Sequence, residues 1–343
     1  MPANFLSGGI SLLKRRIVIV GHGLAGAILA HTLLKNNESV IVLDANMPHS
    51  ATAVSVGLIN PFIGPKLNVP NDFASCMEEN LDFFQDPYFD TDYQFIEKIS
   101  LLRIFQSKEQ KYKWEQITDI YKDSTVSCLA CKNLGIISAL GAGKTHAWKM
   151  KAKEFIKYSK TKLLSQNSYL SEPFIPEKWK GFRVIFCDGY RATQNQWFKD
   201  LPFSPAQGEV MDIHSGYKFN ASNGTWHLKG KVRNTAKIGS TWRHENIESG
   251  PTQAARKEIL TKIKFLPALN GDKILNHRSG IRSSTVDRQP MLGRHPEFKN
   301  YYLFNGFGSR GCTTISLNAK QFFAYLCHGA ELPAHKDIKR FYS

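Results

Sequence analysis

The run RIVIV at residues 16–20, followed without a break by Gly21-His22-Gly23-Leu24-Ala25-Gly26, constrains this chain more than any other feature. A short β-branched run that stops at glycine reads as a buried parallel strand. Residues 25–36 (AGAILAHTLLKN) carry small side chains first and leucines at helical spacing afterwards, so a helix begins close to the strand and packs on it. Residues 39–43 (SVIVL) supply a second strand that ends in Asp44. Strand, glycine turn, helix, strand and acidic residue in that order predict a dinucleotide site. Gly21 makes the tight turn, Gly23 lets backbone approach the diphosphate, and Gly26 lets the helix lie close to the sheet. The helix N-terminus offers unpaired N–H groups and a partial positive charge to the phosphates. Asp44 accepts hydrogen bonds from ribose hydroxyls and repels a 2′-phosphate, which disfavours NADP; the motif leaves FAD and NAD both open.

The rest of the chain bounds the architecture. At 343 residues, 42% apolar and 12% aromatic, it can bury a large core, in two domains or one with an excursion. Residues 72–130 mix aromatic helical pieces (78–84) with strand candidates (99–105) and do not continue a regular βαβ repeat. A strand ending at glycine returns at 180–189 (KGFRVIFCDG). Between 208 and 242 apolar and polar residues alternate in short runs, the pattern of antiparallel strands with one wet face. Residues 252–263 read as helix, 301–304 (YYLF) as a last buried strand entering FNGFGSRG, and 316–326 as a closing helix. With no repeat and no low-complexity linker, two interleaved domains are expected: 14–71, 131–204 and 275–343 bind the dinucleotide, and 72–130 and 205–274 form a substrate domain.

Other functional classes recede. No apolar run approaches the roughly 20 residues of a membrane-spanning helix, and Lys14, Arg15 and Arg16 follow the leader instead of starting it, which is not a signal peptide's order. Six cysteines in a chain of this length suggest reduced thiols and a cytoplasmic location; Cys128 and Cys131 have half a zinc site's spacing with no second pair to complete it. No metal is expected. The formal charge of +16 permits an anionic partner such as RNA, and Lys149, Lys151, Lys153, Lys157, Lys160 and Lys162 partly suit one face of a helix.

Both ends of the chain resemble the D-amino-acid oxidase and glycine oxidase superfamily of flavoproteins. GHGLAG, LDA and the stretch from Ser50 through Thr52, Ser55, Gly57 and Leu58 to Pro61 resemble that family's Ser-rich segment leading to Gly-Leu-Ile-x-Pro. The stretch from Ser279 to Gly293 (SGIRSSTVDRQPMLG) is similar to its Gly-Leu-Arg-Pro-x-x-x-Asp-x-x-Pro-x-Ile-Gly, with Ser283 in place of the proline. FNGFGSRG looks like its last flavin-contacting turn, and Cys187-Asp188-Gly189 stands where the family ends a strand beside the dinucleotide.

The resemblance implies an α/β fold: a Rossmann-like FAD-binding domain of the GR2 flavoprotein type, interleaved with a smaller α+β substrate domain that contains an antiparallel sheet. It implies a cofactor contact set of Gly21, Gly23, Leu24, Ala25, Gly26, Asp44, Ala45, Ser50, Thr52, Ser55, Gly57, Leu58, Gly189, Arg282, Gly306, Gly308, Ser309, Arg310, Gly311, Cys312 and Thr313. Arg282 matches the carboxylate-binding arginine and is the substrate-binding candidate, against the plainer reading of an ion pair with Asp287. Backbone N–H groups from Gly308 to Cys312 would stabilise charge on the reduced flavin. No strong protein base is required, so His146, His214, His227 and His277 are surface or hydrogen-bonded histidines. FAD is non-covalent, since no cysteine lies between Cys187 and Cys312. The implied activity is oxidation of a C–N bond of an amine or amino acid by hydride transfer to flavin N5, followed by imine hydrolysis. Two alternatives stand beside it: a tRNA wobble-uridine-modifying FAD oxidoreductase acting on a carboxymethylaminomethyl group, which would use the basic surface, and a non-catalytic FAD-binding scaffold or redox sensor.

Overall fold

The computed structural model describes residues 16–64, 66–117, 120–269 and 274–342; the expected basic lead-in at Lys14 and Arg15 lies outside them. Ile17–Val20 is a strand, Leu24–Lys35 a helix and Val40–Leu43 the next strand. They enter a six-stranded sheet in the order Met291–Arg294, Tyr301–Asn305, Arg183–Phe186, Ile17–Val20, Val40–Leu43, Tyr169–Leu170. Every pairing is parallel except that of Met291–Arg294 with Tyr301–Asn305.

These strands are apolar on both faces because both faces are covered. Ile17 and Ile19 sit in one core with Ala27, Ile28 and Leu29 of the first helix and with Ile315, Ala319 and Phe322 of the helix Gly311–His328. Val18, Ile41, Val184 and Phe186 point the other way, against Phe198, Leu201 and Ile338. Burial of each large side chain contributes about 1.5–3 kcal/mol. Register then fixes the site: Val20 lies beside Leu43 on one flank and Phe186 on the other, so three strands end level. Gly21, Asp44 and Cys187 leave the sheet at one edge, outside its carboxyl ends, where open α/β sheets bind ligands.

The second sheet has nine strands and is mostly antiparallel. Its order is Ile274–Arg282, Ala206–His214, Thr235–Gly239, Trp226–Lys229, Asn220–Ser222, Ile96–Ile104, Ala142–Met150, Leu58–Ile59, with Lys122–Val126 also paired to Ala142–Met150. The alternation read between 208 and 242 is the centre of this sheet. Its inward side chains (Met211, Ile213, Ala236, Ile238) pack against Ile259, Ile263 and Leu266 in and after the helix Gln253–Lys262.

Four expectations are corrected. Ala142–Met150 and Ile274–Arg282, grouped by sequence mostly with the dinucleotide domain, are strands of the second sheet. The helix Phe73–Gln85, grouped with the substrate domain, packs on Gly311–His328, where Asn80 donates to the Thr313 carbonyl (2.9 Å) and accepts from Ser316 Oγ (2.7 Å). The closing helix starts at Gly311, five residues before Ser316, because the glycine-rich turn leads straight into it. The lysine run is not one helical face: Lys149 is on a strand, Lys151 caps the helix Ala152–Ser165, and Lys160 and Lys162 lie over the rings of Tyr169 (4.8 Å) and Tyr88 (4.4 Å).

Candidate active site

At the end of Ile17–Val20 the chain turns through Gly21 at φ +103°, and a Cβ there would meet the Cys187 carbonyl oxygen at 2.6 Å. A Cβ on Gly26 would come within 1.9 Å of the Gly21 carbonyl oxygen. Only glycine lets this helix start so close to the strand. No side chain caps the helix at Gly23; Leu24 N donates to Thr52 Oγ1 (3.0 Å), from the short helix Ala51–Val54. An uncapped helix N-terminus edged by Thr52 suits an anion. Beyond it Asp44 accepts from the Tyr169 hydroxyl (3.1 Å) at the end of the second strand.

The glycine-rich bend near the C-terminus lies in the same cavity. It is a 3-10 turn, Gly308–Arg310, that runs into the helix Gly311–His328 with no side-chain cap. The Gly308 amide donates to the Ser283 carbonyl (2.9 Å), so the donors this helix start can offer a ligand begin after Gly308. Ser55 Oγ lies 3.6 Å from Cys312 Sγ, which ties the N-terminal segment to this bend.

Ser283 needs no proline to be held. Its hydroxyl donates within a cluster made by the Gly189 carbonyl (3.2 Å) and Asn305 Oδ1 (2.8 Å), and Asn305 in turn donates to Asp188 Oδ1 (3.0 Å) and to the Gly189 carbonyl (2.9 Å). Asn195 Nδ2 serves the other oxygen of Asp188 (2.9 Å). Burial nonetheless pushes the Asp188 carboxyl up to about 6.

Arg282 closes the strand Ile274–Arg282, paired opposite Ala206. Its guanidinium donates to the Thr241 carbonyl (3.2 Å) and Ser240 Oγ (2.9 Å) and lies 4.8 Å from the centre of the Trp242 ring. Gly208 makes room for it, since a Cβ there would fall 2.2 Å from Nη2. Burial lowers the Arg282 pKa to about 10, and among the described residues no carboxylate pairs with it. Asp287, the ion-pair partner expected in the plainer reading, pairs with Arg340 instead (Nε to Oδ2, 3.0 Å).

One cavity of about 480 Å³ joins these parts. Of the residues singled out from sequence it is lined by Gly21, Gly23, Leu24, Ala25, Asp44, Ala45, Ser50, Thr52, Ser55, Gly57, Leu58, Gly189, Arg282, Gly308, Ser309, Gly311 and Cys312. Four stand off it. Gly26 is in the helix–strand contact, Gly306 fits against Thr285 and the Met291 amide, Arg310 pairs with Asp72 (2.9 Å), and the Thr313 carbonyl binds Asn80. His22, Asp188, Tyr190, Arg191, Trp226 and Ser240 line the cavity without having been singled out. Asp188 and His22 sat in motifs already read, between Cys187 and Gly189 and between Gly21 and Gly23; for the others no local pattern pointed inward.

A groove thus runs from a strand–glycine–helix turn to a second glycine turn, with a desolvated guanidinium beside the second. Residues 174–324 match the family model described as FAD dependent oxidoreductase. The chain superposes on iminodiacetate oxidase from Chelativorans with TM-score 0.74 at 16% identity, covering 94% of this chain and 98% of that one. On glycine oxidase from Bacillus cereus the TM-score is 0.72 at 18% identity, covering 93% and 96%. In sequence it is 24% identical over 199 residues to the tRNA 5-methylaminomethyl-2-thiouridine biosynthesis bifunctional protein MnmC of Actinobacillus pleuropneumoniae. That match is 45% of this chain and 28% of the length of its relative. The resemblance drawn from sequence therefore has support on two sides: residues 174–324 match the FAD-dependent oxidoreductase model, and the fold of the chain is that of these solved oxidases. No helix among the described residues is long and apolar enough to cross a membrane.

Proposed function

We propose that this chain oxidises a C–N bond of an amine or amino acid that carries a carboxylate, with FAD held non-covalently along the cavity. One observation carries the reading: Arg282 is a desolvated guanidinium without a carboxylate partner among the described residues, set beside the glycine turn at the second uncapped helix start. Bound FAD supplies a hydride acceptor at its flavin N5. The protein's part is to bind and orient. The helix start at Leu24 seats the diphosphate, Asp44 the ribose, and the amides at the start of Gly311–His328 favour negative charge on the ring system. Arg282 grips the substrate carboxylate with its planar two-pronged donor set, held in place by Ser240, the Thr241 carbonyl and Trp242. Val210, Trp226 and Leu58 give that end of the cavity an apolar lining that limits water. Orientation of the substrate C–H is the main source of rate, and no side chain need serve as a strong base.

The test is anaerobic mixing of the flavin-loaded protein with a panel of amines and amino acids, followed by admission of air. Bleaching of the flavin band by at least one carboxylate-bearing amine is expected, and the second stage separates an oxidase from a dehydrogenase. A flavin that stays oxidised with every donor would favour the scaffold reading. The six cysteines, all unpaired, fit a reducing cytoplasm.

The similarity to the tRNA-modifying relative supports a second reading, in which the carboxylate-bearing amine is part of an RNA. Lys149, Lys153, Lys231, Lys237 and Arg278 lie close together, near enough that burial and then neighbouring cations lower the pKa of Lys149 and Lys153. Asp212 and Glu154 offset part of this charge. If about four phosphates are contacted there, tRNA affinity falls about a hundredfold between 50 and 200 mM salt. A filter-binding series checks this, and no binding at 50 mM removes the reading.

A further inference from the structure

The cavity holds a second guanidinium with no anionic partner among the described residues. Arg191 stands in the turn Gly189–Gln194 and lines the same cavity as Arg282. Its side chain lies over the Tyr190 ring, 5.3 Å from the centre, and its hydrogen bond to Gln194 Oε1 is long at 3.5 Å. Its Nε is buried and has no hydrogen-bond partner among the described residues. Ser283, next in sequence to Arg282, is hydrogen-bonded to Gly189 of this turn, so the two arginines rise from segments fastened together.

The acidic groups nearby are otherwise engaged. Asp188 takes the amides of Asn195 and Asn305, Asp44 takes the Tyr169 hydroxyl, and Glu248 sits by the hydroxyl of Tyr190. Two cations lining one cavity repel each other, and Arg282 has also lost water, so the arrangement costs stability unless a ligand offsets it. A ligand with one carboxylate can satisfy only one of them. We infer that Arg282 and Arg191 together recognise a substrate with two acidic groups, a carboxylate at Arg282 and a second oxyanion, carboxylate or phosphonate-like, at Arg191. This rests on the reading of Arg282 given under the proposed function. Leaving Arg191 unpaired would then penalise amines with a single acidic group.

Inert acids lacking the amine test the inference without turnover. Flavin-loaded protein is titrated with propionate, glutarate and 3-phosphonopropionate, followed by flavin absorption and by tryptophan fluorescence. At least one of the two dianions should bind tenfold or more tightly than propionate, and which of them does so identifies the second oxyanion. Arg191→Gln should abolish that advantage while keeping propionate affinity and flavin content; Arg282→Gln should weaken all three acids. If the Gln variant fails to fold, Arg191→Lys is read instead, with a preference between those extremes expected. No binding by any acid, equal binding of all three, or a preference that survives in the Arg191 variant overturns the inference. So does an Arg191→Gln protein that folds but purifies without flavin, which would assign Arg191 to the cofactor. Failure of the underlying activity looks different: the preference for dianions persists while no amine reduces the flavin.

Discussion

Replacing Arg282 by methionine is expected to weaken binding of a carboxylate-bearing substrate by about a hundredfold or more while leaving the apoprotein at least as stable as before. The first half follows from losing a charged, two-pronged contact inside a cavity, which costs roughly 2–5 kcal/mol, or on the order of 30-fold to several thousandfold in affinity. The second half follows from the folded state alone. Burial lowers the Arg282 pKa from its ordinary value to about 10, so in the pH range below 10 the fold carries a charge it disfavours by about 3 kcal/mol. The bonds to Ser240 and the Thr241 carbonyl and the contact with Trp242 return part of that. Methionine keeps much of the volume and removes the charge, and replacing buried ionic groups by apolar ones of similar size is often neutral or stabilising. Lysine keeps the charge but not the planar fork, so Arg282→Lys should retain a minor part of the affinity. Substrate titration and thermal melting of the two variants, with and without FAD, check both halves. A methionine variant that melts several degrees lower with substrate binding intact would make Arg282 a structural residue.

What the sequence made legible was whatever a local pattern encodes. Strand, glycine turn, helix and acidic strand end are consecutive, and each obeys a rule about its own neighbours, so residues 16–44 could be read almost to the residue. The bend at 305–311 was visible for the same reason. Sheet membership was not, because it is decided by partners far away in the chain. In Ala142–Met150 the buried Thr145 is polar and the half-buried Trp148 apolar, which blurs the alternation in the sequence, and the strand joins Ile96–Ile104 through pairings that no local spacing announces. Arg191 shows the same limit at the site. In the sequence it is one cation among 45, and only the turn after Gly189 brings it into the cavity. Ser283 shows the converse: its departure from the family's proline was visible, yet the compensating bonds to Gly189 and Asn305 come from segments 94 and 22 positions away.

Lowering the pH from 7.5 to 5 is expected to cost this protein about 4–5 kcal/mol of folding stability, centred on three buried histidines. His22 and His31 share Ser159, each with Nε2 at 2.8 Å from its hydroxyl, and His31 Nδ1 is 3.1 Å from the Tyr88 hydroxyl. His227 is held between Ser215 Oγ (2.8 Å) and the Phe219 carbonyl (3.1 Å). Ser159 has one hydroxyl proton and two lone pairs, so at most one of the two imidazoles accepts from it and at least one donates to it, and a ring that accepts must be neutral. Burial lowers the three pKa values from 6.5 to about 4, 3 and 4. The unfolded chain therefore takes up protons first as the pH falls through 6.5, and the native state loses about 2 kcal/mol per histidine by pH 5. Asp188 acts in the opposite sense. Its folded value of about 6 lies above its unfolded 3.8, so the native state protonates first and regains roughly 1.4 kcal/mol over the same range. The remainder is a large fraction of a typical 5–15 kcal/mol. Denaturant melts at half-unit steps from pH 7.5 to 5 measure the slope, and the same series on His227→Gln should recover about a third of the histidine contribution. A flat profile between pH 7 and 5 would mean that these imidazoles reach water or a carboxylate in solution, and that the Ser159 cluster is not closed.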